Sequence, residues 1–208
     1  MATVSPLRIQ RLVALALCWA WGVISGSVGL NALINANRSQ TRLRKASPPG
    51  VTIKFNVNDI YQPGVVLTTI CAVVTLLATI FFIVTLTRPK HATGSLKIQA
   101  LIFSFFSLWL FATQIPYTVF VANHHAKITA FLEGVQLPPQ IVQAGLATLG
   151  ASDKYSKLHP AVLLAVFPWI ALLFNIILVV VLLTAARRRD RLETTSQSSI
   201  SQREKASI

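Results

Sequence analysis

His124, His125, Glu133, Asp153 and His159 have the side-chain types for acid–base or metal chemistry, and all five fall in one stretch between two apolar segments. Paired imidazoles invite a metal site. Neighbouring residues on a helix point about 100° apart, however, so His124 and His125 would need an irregular backbone to share one ion. The group reads as interfacial histidines; no catalytic residue, cofactor or metal ligand is assigned, and an enzyme is not expected. Two amides, Gln114 and Asn175, lie inside apolar segments and suit either hydrogen bonding between helices or a polar path for a solute. Asn37, Arg38 and Ser39 form an N-glycosylation acceptor. Near the C-terminus Arg187, Arg188, Arg189 and Arg191 are followed by Thr194, Thr195 and Ser196. A basic run against anionic headgroups beside phosphorylatable hydroxyls can work as an electrostatic switch, because each phosphate adds nearly two negative charges.

The elements that must position these residues are set by where charge is missing. No Asp, Glu, Lys, Arg or His occurs from Leu12 to Ile34, Val65 to Leu86, Ile98 to Ala122, or Ala161 to Ala186. As helices these stretches are roughly 33 to 39 Å long, enough to cross a hydrocarbon core of about 30 Å with some tilt. The chain is 53% hydrophobic and 12% charged, about half the charge of an average soluble domain, so its apolar surface is matched to lipid. The expected fold is all-α: an integral membrane four-helix bundle with spans at 12–34, 65–87, 98–122 and 161–186, and with short interfacial helices in the third loop.

A net charge of +13 would suggest nucleic acid in a soluble protein, but here the basic residues flank spans. They set topology and meet anionic lipid headgroups, and no nucleic-acid partner is expected. Residues 1–11, 88–97 and 187–208 hold eleven Lys and Arg against eight in 35–64 and 123–160. The bias is densest in the short second loop and at Arg187 to Arg189, which puts both termini in the cytosol. The expected location is the plasma membrane or an endomembrane. Cys18 and Cys71 both lie inside spans, so no loop disulfide is available. One alternative is a cleaved signal peptide over Arg8 to Ser27, although the apolar stretch continues through Leu30, Leu33 and Ile34 beyond what such a peptide needs.

The first loop, 35–64, divides at a Pro48-Pro49-Gly50 break; after it Val51, Ile53, Phe55 and Val57 alternate with Thr52, Lys54, Asn56 and Asn58, the period of a strand. No second alternating run is evident in the third loop, 123–160. There Ile128, Phe131, Leu132 and Val135, then Ile141, Val142, Gly145 and Leu149, suggest two amphipathic helices separated by Pro138 and Pro139. The tail is Ser/Thr-rich and expected to be disordered.

Helices in lipid associate through small residues and interhelical hydrogen bonds. Ala14, Cys18, Gly22 and Gly26 form such a ladder in the first span, with Ser25 and Gly29 beside it, serving contacts within the chain or with a second copy. Thr68, Ala72, Thr75 and Thr79 form another in the second span. Counting 1.5 Å per residue, Gln114 and Asn175 lie at different depths. Asn175 matches Ser107, and Gln114 matches Ser27 or the threonines near Thr69.

With PLRIQRLVALAL (Pro6 to Leu17) opening the first span and FSLWLFA (Phe106 to Ala112) in the third, the chain resembles the MARVEL-like tetraspan proteins of fungi. The resemblance implies a non-enzymatic role in organising membrane domains, trafficking or membrane apposition, with lipids, further membrane proteins or a second copy as partners. The expectation from another class is a small transporter or channel subunit with a polar path past Gln114 and Asn175.

Overall fold

The computed structural model describes residues 7–46, 51–56, 58–123, 127–132, 135–136, 138, 140–141 and 159–206. Its elements are α1 (Arg8–Ala46), β1 (Val51–Asn56), α2 (Asn58–Thr87), α3 (Pro89–Gly94), α4 (Leu96–Asn123), β2 (Lys127–Leu132), β3 (Val135–Gln136) and α5 (His159–Ala206). Four of them, α1, α2, α4 and α5, are long and apolar enough to cross a membrane. The protein is an integral multi-pass bundle. In it α1 packs against α2 and α5, and α4 against α2 and α5, so the four rods form a ring in chain order.

What the apolar composition hides is a seam. The buried residues of α4 are Leu96, Ala100, Phe103, Ser107, Leu110, Gln114, Tyr117 and Val121, with Gln99 beside Ala100, a strict alternation of four- and three-residue steps. The same alternation runs through Arg11, Leu15, Cys18, Gly22, Ser25 and Gly29 in α1, and through Leu164, Pro168, Ala171, Asn175, Leu178, Leu182 and Ala185 in α5. In α2 it runs through Gly64, Leu67, Cys71, Val74 and Ala78. A 3.5-residue repeat keeps one stripe on the bundle axis, as in knobs-into-holes packing. Large side chains elsewhere, such as Leu76, Leu101, Leu108 and Leu173, face outward, where lipid would meet them.

Several expectations change at the ends of the spans. α1 continues to Ala46, about 18 Å past Ile34 at 1.5 Å per residue, and α2 already begins at Asn58, so most of the first loop is helix. The tail is helical through Ala206 rather than disordered. Arg, Leu, Glu, Gln and Lys are good helix formers, and the hydroxyls of Thr194 and Thr195 bond back to the carbonyls of Asp190 and Arg191 without interrupting the ladder.

The front of the third loop is a strand, not an amphipathic helix. β1 pairs antiparallel with β2, from Val51 opposite Leu132 to Asn56 opposite Lys127, and β2 pairs with β3. The partner that β1 requires is therefore in the other long loop. A short apolar run fits both periods, and here the register decides: Val51, Ile53 and Phe55 stand opposite Leu132, Ala130 and Ile128. Of the second expected helix, all but Ile141 lies outside the described residues. The sheet joins the first and third loops at one end of the bundle; α3 lies at the other.

Candidate functional site

The polar residues buried in the bundle fall on the seam in layers. Arg11, Cys18 and Ser25 recur every seven residues on α1, about 10 Å per step, and Ser107 and Gln114 do so on α4. In the middle layer Asn175 Nδ2 donates to Ser107 Oγ at 2.9 Å, and Ser107 Oγ donates to the Phe103 carbonyl at 2.8 Å. The Cys18 thiol points at Asn175 Oδ1 at 3.6 Å. One amide thus joins α1, α4 and α5, and the depth match of Asn175 with Ser107 holds.

The layer nearer the sheet is built around Pro168. Proline has no N–H for the Leu164 carbonyl and its ring crowds the preceding turn, which opens that turn's backbone oxygens to donors from a neighbouring helix. Gln114 Nε2 supplies one to the Ala165 carbonyl at 2.6 Å, and the Tyr117 hydroxyl donates to the Ala161 carbonyl at 3.4 Å. Trp169 Nε1 returns a bond to Thr118 Oγ1 at 3.3 Å. Gln114 is therefore committed to α5, and the pairing with Ser27 or the threonines near Thr69 is corrected. Thr69 instead bonds back to the Val65 carbonyl of its own helix.

Glycines set the contact between α1 and α2, though not the pair the ladder suggests. A Cβ on Gly22 would lie 2.5 Å from Thr75 Oγ1, and one on Gly29 would overlap Thr68 Oγ1 and come within 3.0 Å of its Cβ and Cγ2. Around Gly26 there is nothing within 4 Å. Ala14 and Cys18 are buried, but the i, i+4 count leaves the axis at Gly26, whereas the heptad returns to it at Ser25 and Gly29.

At the α3 end three elements converge on one turn. Arg11 Nη2 and Gln99 Nε2 both donate to the Ala92 carbonyl at 3.3 Å, and Gln99 Nε2 also reaches Ser95 Oγ at 2.8 Å. From α5, Arg189 Nη1 donates to the Thr93 and Gly94 carbonyls at 2.9 and 3.3 Å, while Asp190 pairs with Lys97 at 3.0 Å. Arg187, Arg188 and Arg191 are exposed, so the arginine run divides into one helix-tying residue and three free to meet headgroups. Thr194 and Thr195 are exposed on the same helix, and the Ser196 side chain lies outside the described residues.

Asn37 is exposed within α1, fourteen residues before β1 begins at Val51. Of the possible chemical residues, His159 is exposed at the start of α5, and His124, His125, Glu133 and Asp153 lie outside the described residues. Among the described residues no three His, Cys, Asp or Glu come together as a metal site. Gln99 and Tyr117 were not legible as seam residues, and Arg11 reads in the sequence only as a flanking charge; the seven-residue relation of Arg11 to Cys18 and of Tyr117 to Leu110 was the available signal.

These features define a membrane-embedded bundle whose polar groups knit helices together. No protein family, curated protein or solved structure matches the chain.

Proposed function

We propose that this protein is a non-enzymatic membrane organiser, acting in membrane domains, trafficking or apposition through lateral helix packing and contacts of its basic tail, in keeping with the MARVEL-like resemblance. Both termini are assigned to the cytosol, so that Arg187, Arg188 and Arg191 meet anionic inner-leaflet lipids, with other membrane proteins or a second copy as lateral partners. One observation carries this reading. The intramembrane amides are directed to neighbouring helices, and apolar layers separate them: Leu110 and Leu172 on the sheet side of Asn175, Phe103 and Leu178 on the α3 side, all nearly or fully buried. A solute path past Gln114 and Asn175 would have to break both bonds and part those layers.

The test combines proximity labelling from the C-terminus with flux in reconstituted liposomes. Neutralising Arg187, Arg188 and Arg191 should change the labelled neighbours while the bundle stays folded, and the wild type should leave ion and water gradients intact. Unchanged neighbours together with gradient collapse would transfer the protein to the transporter class.

A further inference from the structure

We propose that the α3 end of the bundle holds a binding site for one phosphate-ester anion, with Arg11 as its cationic anchor. Arg11 is 0% exposed, and only Nη2 has a partner, the Ala92 carbonyl at 3.3 Å; Nε and Nη1 are buried without one. A guanidinium does not shed its proton, so a full charge sits here with most of its donors unused. The sequence has no Asp or Glu before Asp59, and the ion pair at this end joins Asp190 to Lys97, not to Arg11.

The surroundings add positive character. α1 and α4 both begin at this end, and the first-turn N–H groups of a helix carry a partial positive charge that favours anions. Because Arg11 and Gln99 share the Ala92 carbonyl, the guanidinium lies against the start of α4, with Ser95 just before the helix and Gln99 in its first turn. The carbonyl ends of α2 and α3 oppose this, but they are partial charges, and Arg189 already caps the Thr93 and Gly94 carbonyls. A buried arginine beside two helix starts calls for an oxyanion.

Height selects the ligand. Arg11 immediately precedes the uncharged stretch that starts at Leu12, so it sits at the level of lipid phosphates. A phosphate ester presents several acceptor oxygens to Arg11 and to the α4 first turn, replacing the two 3.3 Å bonds to Ala92 as the six-residue α3 yields. The ester is a lipid headgroup or a soluble phosphate, and the two sources are separable.

The full chain is placed in nanodiscs of phosphatidylcholine, with or without phosphatidic acid, and in neutral discs titrated with glycerol phosphate. Native mass spectrometry should find one phosphatidic acid retained by the wild type and by Arg188→Gln, and none by Arg11→Gln. The thermal midpoint of the wild type should rise with phosphatidic acid, and that of Arg11→Gln should not. A rise with glycerol phosphate that needs Arg11, without lipid retention, assigns the same site to a soluble ester. A purely structural Arg11 predicts instead that Arg11→Gln loses the same stability in both disc types, and that result overturns the proposal. Should Arg11→Gln not fold, Arg11→Lys should show at most half the wild-type shift. The wild-type arms also stand alone: no retained lipid and no shift with either source refutes the site.

Discussion

Replacing glycines one at a time in α1 tests whether the heptad seam or the i, i+4 ladder governs its contact with α2. Gly→Ala at an unstrained, open helix position gains roughly 0.5 to 1 kcal/mol from backbone entropy and propensity. Gly26→Ala should show that gain, since nothing stands within 4 Å of the new methyl. At Gly29 the methyl would overlap Thr68 Oγ1, and turning the threonine does not help because Cβ and Cγ2 are both at 3.0 Å. The helices must separate, and overpacking of that kind costs about 1 to 3 kcal/mol before the propensity gain is subtracted. Gly22→Ala falls between, because Thr75 Oγ1 is at 2.5 Å but Thr75 Cβ is at 3.5 Å, so a change of rotamer relieves most of the clash while giving up the bond to the Cys71 carbonyl. The expected order of stability in a lipid-bicelle unfolding assay is Gly26→Ala above wild type, then Gly22→Ala, then Gly29→Ala, with Thr68→Ala restoring much of the loss at Gly29. Equal damage at Gly26 and Gly29, or no rescue by Thr68→Ala, would refute the seam.

Asn175→Ala and Ser107→Ala should be coupled, with an interaction energy of about 0.6 kcal/mol and no more than ~2, as for hydrogen bonds between membrane helices; additive losses in a double-mutant cycle would count against the bond. Gln114→Leu removes the donor to the Ala165 carbonyl and should cost about 0.6 kcal/mol and no more than ~2 in thermal unfolding; a midpoint equal to that of the wild type would count against the bond. Phosphorylation at Thr194 or Thr195 should weaken binding of a peptide spanning 187–208 to anionic vesicles, read by co-sedimentation, and the loss should shrink at high salt.

Charge-free length made four spans legible, since ionisable side chains are too costly in lipid to be scattered at random. Depth arithmetic found Asn175 with Ser107 because both lie in uninterrupted helix, where 1.5 Å per residue holds. The same arithmetic failed for Gln114: its acceptor is the backbone carbonyl of Ala165 in the turn before Pro168, and a backbone oxygen carries no side-chain signature. β2 was hidden for a different reason. Lys127–Leu132 is too short to distinguish strand from helix by period, and its identity comes from pairing with β1, which is more than seventy residues earlier in the chain. Helical tails escaped notice because polarity reads as loop, although a helix already nucleated in the membrane continues outward at little further cost.

Gly26 shows why an apolar span resists a search by small-residue pairs. Residues four apart drift around the helix by about 40° per step, so Ala14, Cys18, Gly22 and Gly26 begin on the axis and leave it. Alternating steps of three and four correct that drift, and along them the polar residues fall into register across helices: Cys18 with Ser107 through Asn175, and Ser25 one heptad along from Cys18 as Gln114 is from Ser107. In lipid, uniform apolar seams would let helices slide by a heptad at little loss, because each leucine layer resembles the next. A buried amide has no such freedom, since a slip of seven residues strands it against hydrocarbon without a partner. The same spacing that brings Asn175 to Ser107 and Gln114 to the Pro168 turn therefore selects one alignment of the four helices, and it holds Arg11 under α3 as a consequence of that alignment.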